Sequence, residues 1–155
     1  MLGVLMLKIR VARDEDLEAV VQMMNGGASS QRIHLEDGAT DTYKPAFCAI
    51  QKCPNTDIYV GETEAGEAVA TFQLTYVKGL AFNGKPRGQI ESMHTRADMR
   101  GQGLGQEMLA HAVKLARDEG CCMVQLTSNK ERDGAHRFYA SNGFVPTHEG
   151  FKLIF

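Results

Sequence analysis

Residues 96–120 read RADMRGQGLGQEMLAHAVKLARDEG, and three glycines, Gly101, Gly103 and Gly105, stand where an amphipathic helix begins. Glycine is the residue most costly to order, and inside a helix it is worse than alanine by about 1 kcal/mol. Its use here implies a need for bare backbone. Amides at a strand-to-helix junction converge on an anion, and the positive end of the helix adds to the attraction. From Leu104 onward the stripe Leu104, Met108, Ala112 and Leu115 opposes Glu107, Lys114, Arg117 and Asp118, and Gly120 closes the helix. The spacing is not that of a P-loop, which would continue Gly-Lys-Ser/Thr, nor the G-x-G-x-x-G of a dinucleotide fold.

Working outward, residues 88–95 (GQIESMHT) predict a strand entering the glycine loop. Residues 121–128 (CCMVQLTS) predict a second, covered on both faces. A strand, helix, strand unit of this kind crosses over right-handed, with its two strands parallel. A short helix over Asp133–Ser141 ends at Asn142-Gly143, and residues 144–155 (FVPTHEGFKLIF) predict one or two closing strands. Upstream, Leu7–Ala12 alternates like a strand, and Asp14 is placed to cap a helix carrying Leu17, Val20, Val21 and Met24. The polar, glycine-containing stretch that follows predicts a loop or irregular helix, and then a helix with Tyr43, Phe47 and Ile50 on one face. Asp57–Thr63 and Ala68–Val77 flank a hairpin turn, EAGE, with Ala68, Ala70, Phe72, Leu74 and Tyr76 expected to share a face. The fold class expected is α/β (α+β): a mixed, mostly antiparallel sheet with a central parallel strand, helix, strand unit, in one domain over residues 1–155.

Composition narrows the function. The chain is 43% apolar and 23% charged with a net charge of −2, the balance of a soluble globule without the basic bias of a nucleic-acid binder. The apolar start, MLGVLMLKI, lacks a basic flank and a cleavage site and is too short to span a bilayer, so a cytoplasmic protein is expected. Cys48, Cys53, Cys121 and Cys122 lack paired metal-site spacing and read as reduced thiols, and no metal is expected.

Two segments carry a resemblance. RGQGLG, Arg100–Gly105, is similar to the Arg/Gln-x-x-Gly-x-Gly/Ala signature of the GNAT superfamily of acetyl-CoA-dependent N-acetyltransferases, and AHRFYASNGF, Ala135–Phe144, resembles its second signature. The resemblance implies acetyl-CoA as cosubstrate, its pyrophosphate held by Gly101, Gln102, Gly103, Leu104 and Gly105 with Arg100 nearby. It also implies that the parallel strands splay and take the pantetheine arm along Met93, His94 and Thr95. Asn129 matches a polar position just after the second strand, with Ser128 the weaker candidate; Arg132 and Phe138 complete the cofactor side. Residues 124–153 resemble the corresponding end of aminoalkylphosphonate N-acetyltransferases, including AHRFY and a late histidine, His148.

Acetyl transfer needs a base for the ammonium proton, donors for an oxyanion and an acid for the leaving thiolate. Tyr139 matches the tyrosine that faces the CoA sulfur in many members of the family. Glu91 and His94 are the candidate bases; strict alternation would separate them, but a bulge usual in this strand of the family would bring both to the cleft. Glu91 is favoured, with a water as relay. His136 is one helical turn from Tyr139, and Arg132 and Arg137 are placed to reach phosphates or solvent. The acceptor is expected to be a small primary amine met by residues 26–42, where acidic Glu36, Asp37 and Asp41 suit an ammonium and Arg32 an anionic group, with His34 between. No nucleic acid or membrane partner is expected, and a homodimer is left open. A non-catalytic acyl-CoA sensor and an enzyme acting on a protein or peptide amine remain alternatives.

Overall fold

Alternating side chains and glycine turns set the order of elements in the computed structural model, which describes residues 6–155. They run β1 Lys8–Val11, α1 Leu17–Gly26, α2 Ser30–Ile33, α3 Thr40–Gln51, β2 Thr56–Glu62, β3 Ala68–Val77, β4 Arg87–Thr95, α4 Leu104–Asp118, β5 Met123–Gln125 and α5 Asp133–Ser141. The start of the predicted N-terminal apolar run lies outside the described residues. The chain divides into two compact units, Met1–Gln125 and Leu126–Phe155.

In the first unit the sheet order is β1-β2-β3-β4-β5. The first four strands pair antiparallel, and β4 pairs β5 in parallel. One face is covered by α4, which comes close because two strand positions are glycine. A Cβ at Gly61 would lie 2.9 Å from Met108 Sδ, and one at Gly88 would lie 3.0 Å from Ala116 Cβ. The other face carries α1 and α3, whose Leu17, Val20, Val21 and Phe47 form a core with Ala12 and Val60.

Two details correct the sequence reading. The ladder shifts between Gly61 and Glu62, so that Gly61 opposes Ala70 and Glu62 opposes Ala68. A one-residue shift turns a side chain to the opposite face. Ala68 therefore packs on the α1 and α3 core instead of sharing the face of Phe72 and Leu74. Asp14 does not cap α1: residues 14–16 form a short 3₁₀ turn, and the Asp16 carboxylate reaches back to the Arg13 N–H at 2.7 Å.

Asp16 also ties α1 to the sheet. Arg10 donates to both of its oxygens, at 2.6 and 3.0 Å, and to Glu62 at 2.7 Å. Burial alone would raise the Asp16 pKa, but the Arg10 guanidinium and the Arg13 amide hold it below the ordinary value. The bidentate fork makes this a strong contact.

In the second unit α5 forms where the sequence predicts it. The closing strands do not: residues 145–155 have no regular structure, and Phe151, Leu153, Ile154 and Phe155 are exposed. Pro146 has no N–H for a ladder, and the polar Thr147-His148-Glu149-Gly150 run separates the apolar residues on either side.

Candidate functional site

The site begins where β4 loses one neighbour. Arg87, Gly88 and Gln89 pair with Met123, Val124 and Gln125, and the side chains of Gln89 and Gln125 share a 2.7 Å hydrogen bond. There the parallel ladder stops, shorter than the eight-residue strand the sequence predicts. From Ile90 to Thr95, β4 continues against β3 alone. Beyond Gln89 no strand of the described residues pairs with its other edge.

Within that stretch the β3–β4 ladder slips. Gln73 opposes Glu91 but Thr71 opposes His94, with the shift between Thr71 and Gln73. Ser92 supplies the bend with φ of 50°, a left-handed conformation uncommon outside glycine. Because Thr71 and Gln73 are two apart on one strand, they share a face, and so do their partners. Glu91 and His94 therefore both project toward α1. A strand without the bulge would separate them.

On this face a cavity of about 40 Å³ is lined by Val20 and Met24 of α1, Ile58, Thr71, Gln73 and Ser92. It has room for a few waters at most, by the usual allowance of roughly 10–15 Å³ each. Gln73 Nε2 donates to Glu91 Oε2 at 3.1 Å, which aims the carboxylate, and the Thr71 hydroxyl is held by the Tyr59 carbonyl at 2.8 Å.

The glycine loop follows β4 after one 3₁₀ turn, Ala97–Met99. Gly101 and Gly103 have φ of 77° and 82°, and a Cβ on either would meet no protein atom within 4 Å. Conformation, not crowding within the protein, demands glycine there. Gly103 is the residue that precedes α4, and no side chain caps the helix. Leu104, 2% exposed, plugs the core and fixes the first turn of α4, so that the loop is anchored by one residue and bare at the others. Arg100 folds its Nε onto the Thr95 carbonyl at 3.1 Å, and Gln102 lies against Met99. Open space over left-handed glycines at an uncapped helix start fits a phosphate group.

The remaining cofactor candidates and Tyr139 belong to the second unit. Asn129 Oδ1 accepts the Glu131 N–H at 2.9 Å, serving the turn before α5. Arg132 stands at the start of α5 and is exposed, as are His136 and Arg137. Tyr139 is flanked by the rings of Phe138 and Phe144, with centroids at 5.2 and 5.7 Å. Burial pushes its phenol pKa up, opposed by the Arg132 charge, so the hydroxyl stays protonated through neutral pH.

In the α1–α3 connection, Arg32 donates to Glu36 at 2.6 Å and to the Met24 carbonyl at 2.6 Å. Tyr43 donates to the other Glu36 oxygen at 2.6 Å and accepts from Asn25 Nδ2 at 3.3 Å. The charge that the sequence offered to an anionic substrate is thereby balanced by Glu36. Asp37 caps the next turn through Ala39 and Thr42, Asp41 pairs with Lys44, and His34 is exposed. Sequence reasoning missed Ser92, Thr71, Gln73 and Asn25; none sits in a motif, and only the β3–β4 register reveals the first three and the bond to Tyr43 the last. Among the described residues no group of three His, Cys, Asp or Glu is gathered for a metal, and no helix is long and apolar enough to cross a membrane.

A parallel pair of only three residues, a bulged strand and a bare glycine loop at a helix start fit an acyl-CoA-dependent transferase architecture, and the acetyltransferase (GNAT) family model matches residues 27–144. The chain belongs to the GNAT family of acetyltransferases, which implies acetyl-CoA as cosubstrate. It is 38% identical over 64 residues to an aminoalkylphosphonate N-acetyltransferase of Salmonella typhimurium, a match covering 41% of this chain and 42% of that relative. A crystal structure of a transcriptional regulator from Bacillus halodurans C-125 is 34% identical, with TM-score 0.88 over 96% of this chain and 99% of that one. Glucosamine-6-phosphate N-acetyltransferase from Arabidopsis thaliana, at 20% identity, shares the fold with TM-score 0.78 over 96% and 98% of the two chains.

Proposed function

We propose that the chain acetylates the primary amine of a small molecule by direct attack of the amine on the thioester carbon of acetyl-CoA. The observation that carries this reading is the bulge at Ser92, which puts Glu91 and His94 on one face of the strand that leads into the glycine loop. Glu91, oriented by Gln73, takes the ammonium proton through a water of the adjoining cavity. The neutral nitrogen then forms the C–N bond, and collapse of the oxyanion breaks the C–S bond. Tyr139 protonates the departing thiolate, its raised pKa keeping the proton available, and the second proton that the nitrogen loses as the amide forms passes to solvent, from which the tyrosine is reprotonated. Backbone amides from Gly101 to Gly105 hold the pyrophosphate, Arg100 lies beside it, and Met93, His94 and Thr95 offer the pantetheine their strand edge. Asn129, Arg132 and Phe138 are the further cofactor contacts in this reading.

Similarity to an aminoalkylphosphonate enzyme favours a compact amino acceptor. The name of the Bacillus halodurans relative keeps a second reading in view, an acyl-CoA-responsive regulator that retains the loop without turnover. Free CoA release measured across a panel of small amines separates them. Turnover with at least one amine is expected, and Tyr139→Phe is expected to lower it about ten- to a thousand-fold with acetyl-CoA affinity kept. Acetyl-CoA binding with no amine consumed would favour the regulator, and activity on peptide amines alone would replace the small acceptor.

A further inference from the structure

His94 fills a space that only glycine leaves open. A Cβ built on Gly27, the residue that follows α1 as its C-cap, would lie 2.2 Å from His94 Nδ1 and 2.6 Å from Cε1. Real carbon and nitrogen atoms do not approach so closely, so the imidazole rests against the Gly27 main chain. The backbone gives no other reason for glycine here. Gly27 has φ of −101° and ψ of 8°, which alanine adopts freely, and its neighbour Gly26 meets nothing within 4 Å. Replacing a glycine in such a conformation ordinarily stabilises a protein slightly, because the unfolded chain loses freedom. The cost of a side chain at 27 therefore falls on the ring of His94, a side chain able to rotate away.

From this contact we infer that Gly27 is a positioning residue: it sets the place of the His94 imidazole, and through it the acceptor side of the reaction, from the far end of α1. The inference rests on the reading that His94 borders the acceptor cleft. Two elements meet at this one point. The β4 bulge turns His94 toward α1, and Gly27 receives it where α1 gives way to the connection that holds α2. A shift of His94 alters the wall against which the amine is held, and a misplacement of about 1 Å near a reacting centre can lower turnover by up to about a hundredfold.

The test is Gly27→Ala in the full chain, with His94→Ala and the double variant as companions. Three readouts are taken: thermal unfolding, the imidazole ¹H–¹³C resonances of the five histidines, and kcat and KM for amine and acetyl-CoA separately. Gly27→Ala is expected to unfold within about 3 °C of the parent, because the ring yields before the backbone does. The His94 resonance should move while those of the other histidines stay. Amine kcat/KM should fall about tenfold with acetyl-CoA KM unchanged, and in the His94→Ala background the substitution should have almost no further effect. An unmoved His94 resonance would overturn the contact. A moved resonance with unchanged amine kinetics would overturn the positioning role. If no amine is turned over by the parent, the functional reading fails while the resonance still reports on the contact.

Discussion

Residues 100–105 offer a ligand main-chain atoms, whereas the stretch from Met24 to Tyr43 presents side chains already bonded to one another. In the loop, Gly101 and Gly103 hold left-handed φ with open space above them, and Leu104 alone is committed to the core. Along the α1–α3 connection, Arg32, Glu36, Tyr43 and Asn25 form a chain of hydrogen bonds that ends on the Met24 carbonyl. Under the proposed function the difference follows from what each would recognise. A pyrophosphate is the same in every turnover and can be met by amides and a helix dipole, which need no particular side chain. An acceptor is defined by its substituents, which only side chains can distinguish.

The largest expected effect strikes the backbone-built side. Gly103→Trp forces a bulky residue into φ of 82° and fills the space over the loop. Left-handed backbone costs an ordinary residue roughly 1–2 kcal/mol, a tolerable loss of stability, so the fold should persist. Acetyl-CoA should then no longer raise the unfolding temperature as it does for the parent, since a ligand stabilises only the state it binds. Turnover should fall below detection. A ligand-induced shift equal to the parent's would show that the loop is not where the anion sits.

Next in size is the pair Glu91→Gln and His94→Asn, compared over roughly pH 6 to 10, a range that spans the histidine reference pKa and approaches that of an amine. With Glu91 as base, its variant should lose about a hundredfold at neutral pH and recover toward high pH, where free amine needs no help. The His94 variant should be slower with the parental profile. The opposite pattern would move the proton transfer to His94. Equal, modest losses would leave deprotonation to solvent and reduce this stretch of β4 to a wall.

The same contrast explains what could be read from the chain. The glycine loop was legible because a backbone requirement leaves a residue-type signature: glycine at φ near 80° has few substitutes. Helix α5 was legible for a related reason, its closing Asn142-Gly143 placing Gly143 at φ of 86°. The side-chain flank left no such trace. Arg32 looked like an anion receptor because its partner, Glu36, is one helical turn away and the intervening backbone gave no sign that the two would pair. Ser92 was invisible as the pivot of the bulge, since serine has no special tolerance for φ of 50°; the surrounding ladder imposes it. The closing strands failed for want of a partner: the aromatic and β-branched residues among 151–155 record β-propensity, but a strand exists only in a ladder.

The smallest effect expected is on the side-chain network, from Tyr43→Phe. The ring stays packed on the α1 and α3 core, and only the hydroxyl is lost. That hydroxyl donates to Glu36 at 2.6 Å and accepts from Asn25 at 3.3 Å. Glu36 keeps its bond to Arg32, so the carboxylate is still compensated. Asn25 fares worse, because its Oδ1 is buried with no hydrogen-bond partner and its amide nitrogen now loses the hydroxyl as well. A neutral hydrogen bond contributes about 1 kcal/mol, and one donated to a charged group up to about 3. With both bonds lost, roughly 2–4 kcal/mol in all, the fall in unfolding temperature for a domain of this size is roughly 4–16 °C. If the network shapes the acceptor side alone, KM for the amine should change about threefold or more while KM for acetyl-CoA stays put, the separation expected when uniform binding is removed from one substrate only. Should both constants move together, the two flanks are mechanically coupled, and the division between a backbone-built and a side-chain-built half of the site would not hold.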